Sequence, residues 1–282
     1  MNDPHALRKL LKSSVTIPTL PAIVRKITAL IGDPDTGTRE IGALVAEDAP
    51  LAAKVLRIAN SSFYGLASKC MSTEQASTVL GLKVLRNIVT QVSVIDQFEH
   101  IQPQTGFDPT KIWEHSSLTA QIAAGMANHC SKVRVLSHDE AYVCGLLHKI
   151  GKIILLDSLG KSYAVLLKEC EDYPDDGRVS ERETSELGFN HQDVGAILAD
   201  RWSLPNAIVD AIQLHGQPIS KLGGRLHVHV IAVASRAAAF VLKGDRAAAQ
   251  MVLLQEGDEL GLDPRIARTL LDRLDHESSE AA

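Results

Sequence analysis

Apolar residues recur every three to four positions along almost the whole chain, which is the spacing that places them on one face of an α-helix. In one typical stretch, Leu51, Val55 and Ile58 form an apolar stripe, and the small residues Ala52 and Ala59 beside it allow close packing on a neighbouring helix. Alternating runs rich in Val, Ile, Thr and aromatic residues, which would indicate strands, are almost absent. The pattern predicts an all-α protein of about a dozen helices of ordinary length.

Polar residues and glycines predict where these helices begin and end. Some helices are expected to begin at an Asp followed by Pro, because the first helical turn does not use the N–H that Pro lacks. Others are expected to begin with a capping box, in which a Ser side chain and a Glu or Gln three residues later each bond the backbone of the other. The Asp-Pro starts are Asp3-Pro4, Asp108-Pro109 and Asp263-Pro264; the capping boxes are Ser72 with Gln75, Ser137 with Glu140, and Ser180 with Glu183. Gly81, Gly188 and Gly216 are expected to end helices in the left-handed conformation.

The loops indicate how the helices are grouped. The clearest loop runs from Gln102 to Gly106, and a second, rich in Pro, Asp and Gly, covers 173–177. We place a boundary in the first loop, which gives an N-terminal helical subdomain at 1–104 and a helical core at 105–243. A C-terminal helical extension with a frayed polar end follows at 244–282. We expect the extension to pack on its own domain, and a second copy of the chain in a homodimer is the alternative.

Composition and charge narrow the classes of partner. The formal charge is −5, from 29 Lys and Arg against 34 Asp and Glu, and no basic cluster is long enough to follow a phosphate backbone. We therefore expect no nucleic-acid partner. The longest apolar stretch, Val228 to Leu242, contains His229, Ser235 and Arg236 and is shorter than the roughly 20 residues that a membrane helix needs, so we expect no membrane span.

The N-terminal residues and the cysteines point to the cytoplasm. The chain starts without the basic, apolar and small-residue regions of a signal peptide. The four cysteines show no CxxC spacing, so we expect buried, reduced thiols rather than a cysteine zinc site. They are Cys70, Cys130, Cys144 and Cys170.

Four of the eleven histidines lie where they can carry chemistry. His115 shares a helix face with apolar residues, His148 lies near a helix end, His191 begins a helix, and His215 ends one. Imidazoles that converge from several helices can hold a transition metal. Each of them can equally be a hydrogen-bonded core residue, and the sequence alone leaves both interpretations open.

Several motifs resemble a known family. The stretch Gly145-Leu-Leu-His-Lys-Ile-Gly-Lys152 is similar to the signature of the HD superfamily of metal-dependent phosphohydrolases, which normally reads His-Asp-Ile-Gly-Lys. Over roughly 17–240 the chain resembles one branch more closely, the HDOD family of HD-related output domains in bacterial signalling proteins. The motifs that carry this resemblance are Leu20-Pro21, Asp48 to Ser61, Ser72 to Gly81, Trp113-Glu-His-Ser116, and His191 to Pro205. The resemblance implies a multi-helix, HD-domain-like bundle with an N-terminal helical subdomain.

The resemblance also implies where a metal site would lie and how it has changed. The early His, the His-Asp pair and the late Asp of HD enzymes correspond to His115, His148, Lys149 and Ser235, so both carboxylates are replaced. His191 and His215 correspond to the extra histidines of two-metal members. A protonated lysine cannot ligate, and like charges at contact distance repel by about 1–4 kcal/mol. We expect Lys149 to occupy part of the vacated metal site and to stabilise the scaffold without metal.

These substitutions favour a non-catalytic bacterial signal-transduction output module without a cofactor. It would act through helix-mediated contacts with signalling proteins or by binding a small ligand such as a nucleotide. The alternative is a metal-dependent phosphohydrolase of nucleotides or cyclic dinucleotides. In that case the four candidate histidines named above would bind a divalent transition metal.

Overall fold

The computed structural model describes residues 15, 18–19, 21–31, 36–61, 64–103, 106–132, 136–170 and 176–280. Its regular elements in these ranges are helices, and the one β-type pairing there is an isolated bridge between Cys130 and Leu262. The all-α prediction is confirmed. The predicted helix start at Asp3-Pro4 and residues 173–175 of the second predicted loop lie outside the described residues.

The chain divides into two compact units, one formed by Thr19–His100 and the other containing Ile101–Ala282 with Pro18. The Thr19–His100 unit consists of α1 (Ala22–Ile31), α2 (Thr38–Ala46), α3 (Ala49–Ala59), α4 (Thr73–Leu80) and α5 (Leu82–Gln97). Its core includes Leu51, Val55 and Ala59 from the predicted stripe, while Ile58 is half-buried. Asn60 bonds the backbone N–H and carbonyl of Cys70 through its side chain, so it serves a structural role there.

The Ile101–Ala282 unit contains the remaining helices. They are α6 (Thr110–Ala127), α7 (His138–Leu147), α8 (Ile150–Leu159), α9 (Lys161–Glu169), α10 (Asp176–Leu187), α11 (His191–Arg201), α12 (Asn206–Leu214), α13 (Leu226–Leu242), α14 (Arg246–Glu259) and α15 (Pro264–Glu280), with a 3-10 turn at Ile219–Lys221. Helix α6 packs against α7 and α13, and α8 packs against α11.

The C-terminal helices α14 and α15 pack within the same unit. Helix α14 lies against α13, and α15 contacts both α14 and α6. Leu253, Leu270 and Leu271 are buried there, whereas Met251 is exposed. Helix α15 continues to Glu280, through most of the segment for which the sequence predicts a frayed end.

The predicted helix ends are partly confirmed. Ser137 and Glu140 form a complete capping box at the start of α7. Ser72 caps α4 by accepting from the Gln75 N–H, but the Gln75 side chain accepts from Met71 instead of Ser72, so this box is half formed.

The capping box expected at Ser180 and Glu183 is wrong. Both residues lie inside α10, which begins at Asp176, and Glu183 is fully buried. Among the predicted glycine stops, Gly81 and Gly188 have φ of +84° and +81°, while Gly216 does not take the left-handed conformation.

Two glycines of the HD-like motif let helices approach closely. A Cβ atom placed on Gly145 would lie 2.6 Å from the Ala120 Cα of α6. One placed on Gly151 would lie 1.8 Å from the His191 carbonyl oxygen at the start of α11. These glycines therefore hold α7 and α8 tightly against the helices that carry His115 and His191.

The cysteine side chains lie in the interior of the fold, as predicted. All four cysteines are buried and form no disulfide. Burial raises the pKa of the Cys144 thiol to about 12, which keeps it protonated at neutral pH. In the ranges that the structure describes, no helix combines the length and apolar character needed to cross a membrane.

Candidate functional site

The four candidate histidines lie next to one another in the Ile101–Ala282 unit. Helix α6 carries His115, the C-terminal cap of α7 is His148, α11 begins at His191, and the C-terminal cap of α12 is His215. The ring centroids of His115 and His148 are 5.6 Å apart, those of His148 and His215 are 4.8 Å apart, and those of His191 and His215 are 5.5 Å apart. All four side chains are buried. The four residues form one continuous cluster, which we call the histidine cluster.

Two rings of the histidine cluster are oriented by hydrogen bonds from Nδ1 to backbone carbonyls. His148 Nδ1–H donates to the Gly145 carbonyl at 2.5 Å. His215 Nδ1–H lies 3.1 and 3.0 Å from the carbonyls of Ala211 and Ile212, one helical turn earlier. In each case a helix-end backbone carbonyl accepts the ring proton, so the side chain is held by its own helix.

His191 is held by a buried carboxylate instead. Glu183 Oε2 accepts from the His191 backbone N–H at 2.8 Å and from Nδ1–H at 2.7 Å, and both side chains are fully buried. Glu183 Oε1 accepts from the Tyr163 hydroxyl at 2.5 Å. Burial raises the pKa of Glu183, but the attraction and hydrogen bond of His191, with Lys152 and Tyr163, lower it further, so the net shift is downward.

Glu183 is a site residue that the sequence analysis missed. Its spacing from Ser180 is the spacing of a capping box, and that local explanation concealed it. The available signal was that Glu183 lies in the helix before α11, whose N-cap is Asn190. The spacing of residues along a helix does not show which acidic side chain turns inward.

Lys149 points into the site rather than toward solvent. Its Nζ lies 3.3 Å from His115 Nε2, and the residue is 9% exposed. The same Nε2 lies 3.1 Å from the Ser235 backbone carbonyl on α13. When Lys149 donates, the His115 ring proton sits on Nδ1, 3.4 Å from Thr119 Oγ1; in the other tautomer Nε2–H donates to Ser235. Lys149 Nζ and the Ser235 carbonyl are therefore alternative hydrogen-bond partners of His115 Nε2.

A cavity of about 350 Å³ opens onto this region. His115, Lys149, His215 and Ser235 line it, together with residues from α6, α8, α9, α10 and α13. The volume is that of a pocket for a small molecule. The cavity thus joins the two replaced positions of the HD-like motif to two members of the histidine cluster.

The residues do not fit the metal that the HD superfamily uses. By the resemblance to HD enzymes, Lys149 and Ser235 stand where two carboxylates would balance the charge of a dication, and a lysine ammonium at that place would repel it. Within the described ranges, no three side chains of His, Cys, Asp or Glu are arranged to hold a metal ion. In the histidine cluster, the Nδ1 atoms of His148, His191 and His215 make hydrogen bonds, whereas the buried Nε2 atoms of these three rings have no hydrogen-bond partner in the described part of the chain.

Several solved structures share the fold. A candidate phosphohydrolase from Shewanella amazonensis is 23% identical, with a TM-score of 0.74, over 94% of this chain and 93% of that one. An HDOD domain protein of unknown function from Geobacter sulfurreducens is 25% identical, with a TM-score of 0.71, over 97% and 93%. A candidate signal transduction protein from Marinobacter aquaeolei is 24% identical, with a TM-score of 0.74, over 99% of this chain and 66% of that one.

The sequence comparisons identify the family. An uncharacterized protein of Treponema pallidum is 26% identical over 199 residues, which are 71% of this chain but 37% of that protein. The chain therefore spans little more than a third of this curated relative. The sequence model described as HDOD domain matches residues 17–218, most of the chain. With the HD-like fold and the positions of its motif residues, this match shows that the chain belongs to the HDOD family.

Proposed function

We propose that this chain is a non-catalytic signal-transduction module of the cytoplasm. It acts through helix-mediated contacts with signalling proteins or by binding a small ligand. The observation that carries the proposal is the position of Lys149, whose buried Nζ lies 3.3 Å from His115 Nε2.

The physical argument concerns the chemistry that hydrolysis needs. Metal-dependent phosphohydrolases use the ion to generate hydroxide and to neutralise charge on the phosphoryl group. Carboxylate ligands make such a site attractive for a dication, whereas a lysine ammonium at the same place repels it. By the resemblance to HD enzymes, Lys149 and Ser235 replace both carboxylates, which supports the loss of the ligand set that this chemistry needs.

A second candidate function is a metal-dependent phosphohydrolase with an unusual, histidine-rich site. One observation favours it: the Nδ1 atoms of His148, His191 and His215 are all held by carbonyl or carboxylate oxygens. Metal-binding histidines are oriented in this way. The names of the similar structures include both a signalling protein and a phosphohydrolase, so they do not separate the two functions. The charge at Lys149 favours the non-catalytic one.

The test is to restore both acids with Lys149→Asp and Ser235→Asp and to measure metal content. Untagged wild-type protein, purified without chelator, is expected to hold zinc, iron, manganese and nickel well below one equivalent. The double variant is expected to bind at least one of these ions about tenfold or more tightly than the wild type, because the repelling charge is replaced by two ligands. Elemental analysis and calorimetric titration with each ion measure this difference.

Lys161→Asp is the matched control, since it makes the same charge change on an exposed lysine at the start of α9. It is expected to leave metal content unchanged. Near-stoichiometric metal in the wild type, together with phosphodiester hydrolysis that His148→Ala abolishes, would overturn the proposal in favour of the hydrolase.

A further inference from the structure

Helix α13 carries a buried histidine that does not belong to the histidine cluster. His229 is 3% exposed, on a helix that packs against α6, α7, α12 and α14. Its Nε2 atom is buried and has no hydrogen-bond partner among the described residues. A buried polar nitrogen without a partner is uncommon in folded proteins, because nothing compensates its loss of water. The core therefore holds the His229 ring without offering its Nε2 atom an acceptor.

The side of α13 that carries His229 faces helix α14. Arg236 lies about two turns later on the same side of α13 and bonds the Glu256 carboxylate of α14. In the part of the chain that the structure describes, the charged groups that act on the His229 ring are Glu259 and Glu256, both on α14, and Arg236 of α13 itself. Helix α14 is therefore the neighbour whose charges a proton on His229 would meet.

This packing suits a neutral imidazole better than a protonated one. Both ring nitrogens of a protonated histidine are donors, so a buried Nε2–H would have no acceptor. Glu256 is already bonded by Arg236, and Glu259 is exposed near the end of α14. Burial, together with Arg236, lowers the pKa of His229, and the two glutamates oppose this shift only in part. The folded protein therefore favours the neutral ring.

We propose that His229 makes the packing of α14 on α13 sensitive to acid, so that a proton on this ring releases α14 when the pH falls. Helix α15 contacts α14, so the release affects the C-terminal extension as a whole. His229 does not line the cavity beside the histidine cluster. The inference therefore goes beyond the proposed function and does not depend on whether the chain is catalytic.

The pH range follows from the two states of the ring. In the released state the imidazole is solvated and has the ordinary histidine pKa of about 6.5, whereas in the packed state its pKa is lowered. The packed state binds fewer protons, so its stability relative to the released state is complete above about pH 6.5 and is lost as the pH falls below that value. At about pH 5.5, one unit lower, the released population can rise at most about tenfold.

The test is hydrogen exchange of the full chain, measured by mass spectrometry on peptides from α14 at about pH 7.5 and about pH 5.5. After correction for the intrinsic effect of pH on amide exchange, the protected amides of α14 are expected to exchange about three- to tenfold faster at the lower pH. Equal corrected rates at the two pH values would overturn the proposal.

Two variants show whether the acceleration comes from His229. His229→Gln removes the titratable ring, and its corrected rates are expected to differ by less than about twofold between the two pH values. Each variant is compared with itself, so a lower overall stability of His229→Gln does not affect the result. His129→Gln, which removes an exposed histidine just after α6, is the control and should accelerate like the wild type. An acceleration in His229→Gln as large as in the wild type would assign the effect to other groups and overturn the proposal.

Nuclear magnetic resonance of the wild-type protein gives a second, direct measurement. The imidazole ¹⁵N shifts of His229 are expected to titrate at lower pH in the folded protein than in the chain unfolded by urea, because the packed ring resists protonation. A midpoint in the folded protein equal to or above that of the unfolded chain would contradict the acid sensitivity.

Discussion

Replacing Gly151 by Ala is expected to lower the free energy of unfolding of the Ile101–Ala282 unit by about 3 kcal/mol or more. The new Cβ would lie 1.8 Å from the His191 carbonyl oxygen, 2.7 Å from the His191 carbonyl carbon and 2.9 Å from the Gly195 nitrogen. All three are backbone atoms, so no change of rotamer can relieve the overlap. Helices α8 and α11 would have to separate, and His191 would move away from the histidine cluster.

Tryptophan fluorescence during urea denaturation measures this effect selectively. Both tryptophans of the chain, Trp113 and Trp202, belong to the Ile101–Ala282 unit, so the signal does not report on Thr19–His100. Gly244→Ala is the matched control: its Cβ meets nothing within 4 Å, but φ is +75°, and it is expected to cost about 1 kcal/mol. An unfolding midpoint for Gly151→Ala as high as that of Gly244→Ala would show that α8 and α11 do not depend on this contact.

Local signals in the sequence predicted much of the helical framework. The Ser137 capping box, the helix starts at Asp108-Pro109 and Asp263-Pro264, and the stop at Gly81 depend on contacts within a few residues. Such contacts leave the same pattern wherever they occur. Glu183 shows the limit of predicting structure from such local signals. A buried acid that accepts from a later helix has the same spacing to Ser180 as an exposed cap, and only tertiary packing distinguishes the two.

The candidate site was predictable to a similar extent. The sequence could identify four histidines on helices, and the structure brings their rings within 5.6 Å in successive pairs. The cavity beside the histidine cluster could not be predicted, because its lining comes from segments that are distant in sequence. Lys111, Lys149 and Lys243 come from α6, the junction of α7 and α8, and the end of α13, more than a hundred residues apart overall. They line one cavity only after the helices pack.

Replacing Glu183 by Gln is expected to destabilise the Ile101–Ala282 unit by about 3 kcal/mol. The carboxylate accepts from three buried donors: the Tyr163 hydroxyl, the His191 backbone N–H and His191 Nδ1–H. An amide of the same shape keeps one oxygen and turns an NH₂ group toward the remaining partner, so at least one buried donor loses its acceptor along with the negative charge. Urea denaturation followed by tryptophan fluorescence measures the loss.

Two further variants separate the buried network from helix α10 itself. Glu186→Gln removes an exposed ion pair with Arg182 on the same helix and is expected to change stability by less than about 0.5 kcal/mol. Tyr163→Phe removes one donor while the carboxylate keeps His191, and is expected to cost about 1 kcal/mol. The imidazole ¹⁵N shifts of His191 give an independent readout: the Nδ1–H tautomer should persist in Tyr163→Phe and lose its preference in Glu183→Gln. A Glu183→Gln protein with unchanged stability and an unchanged His191 tautomer would show that the carboxylate does not fix this ring. In that case the orientation of His191 would have to come from the α11 backbone and the close approach at Gly151.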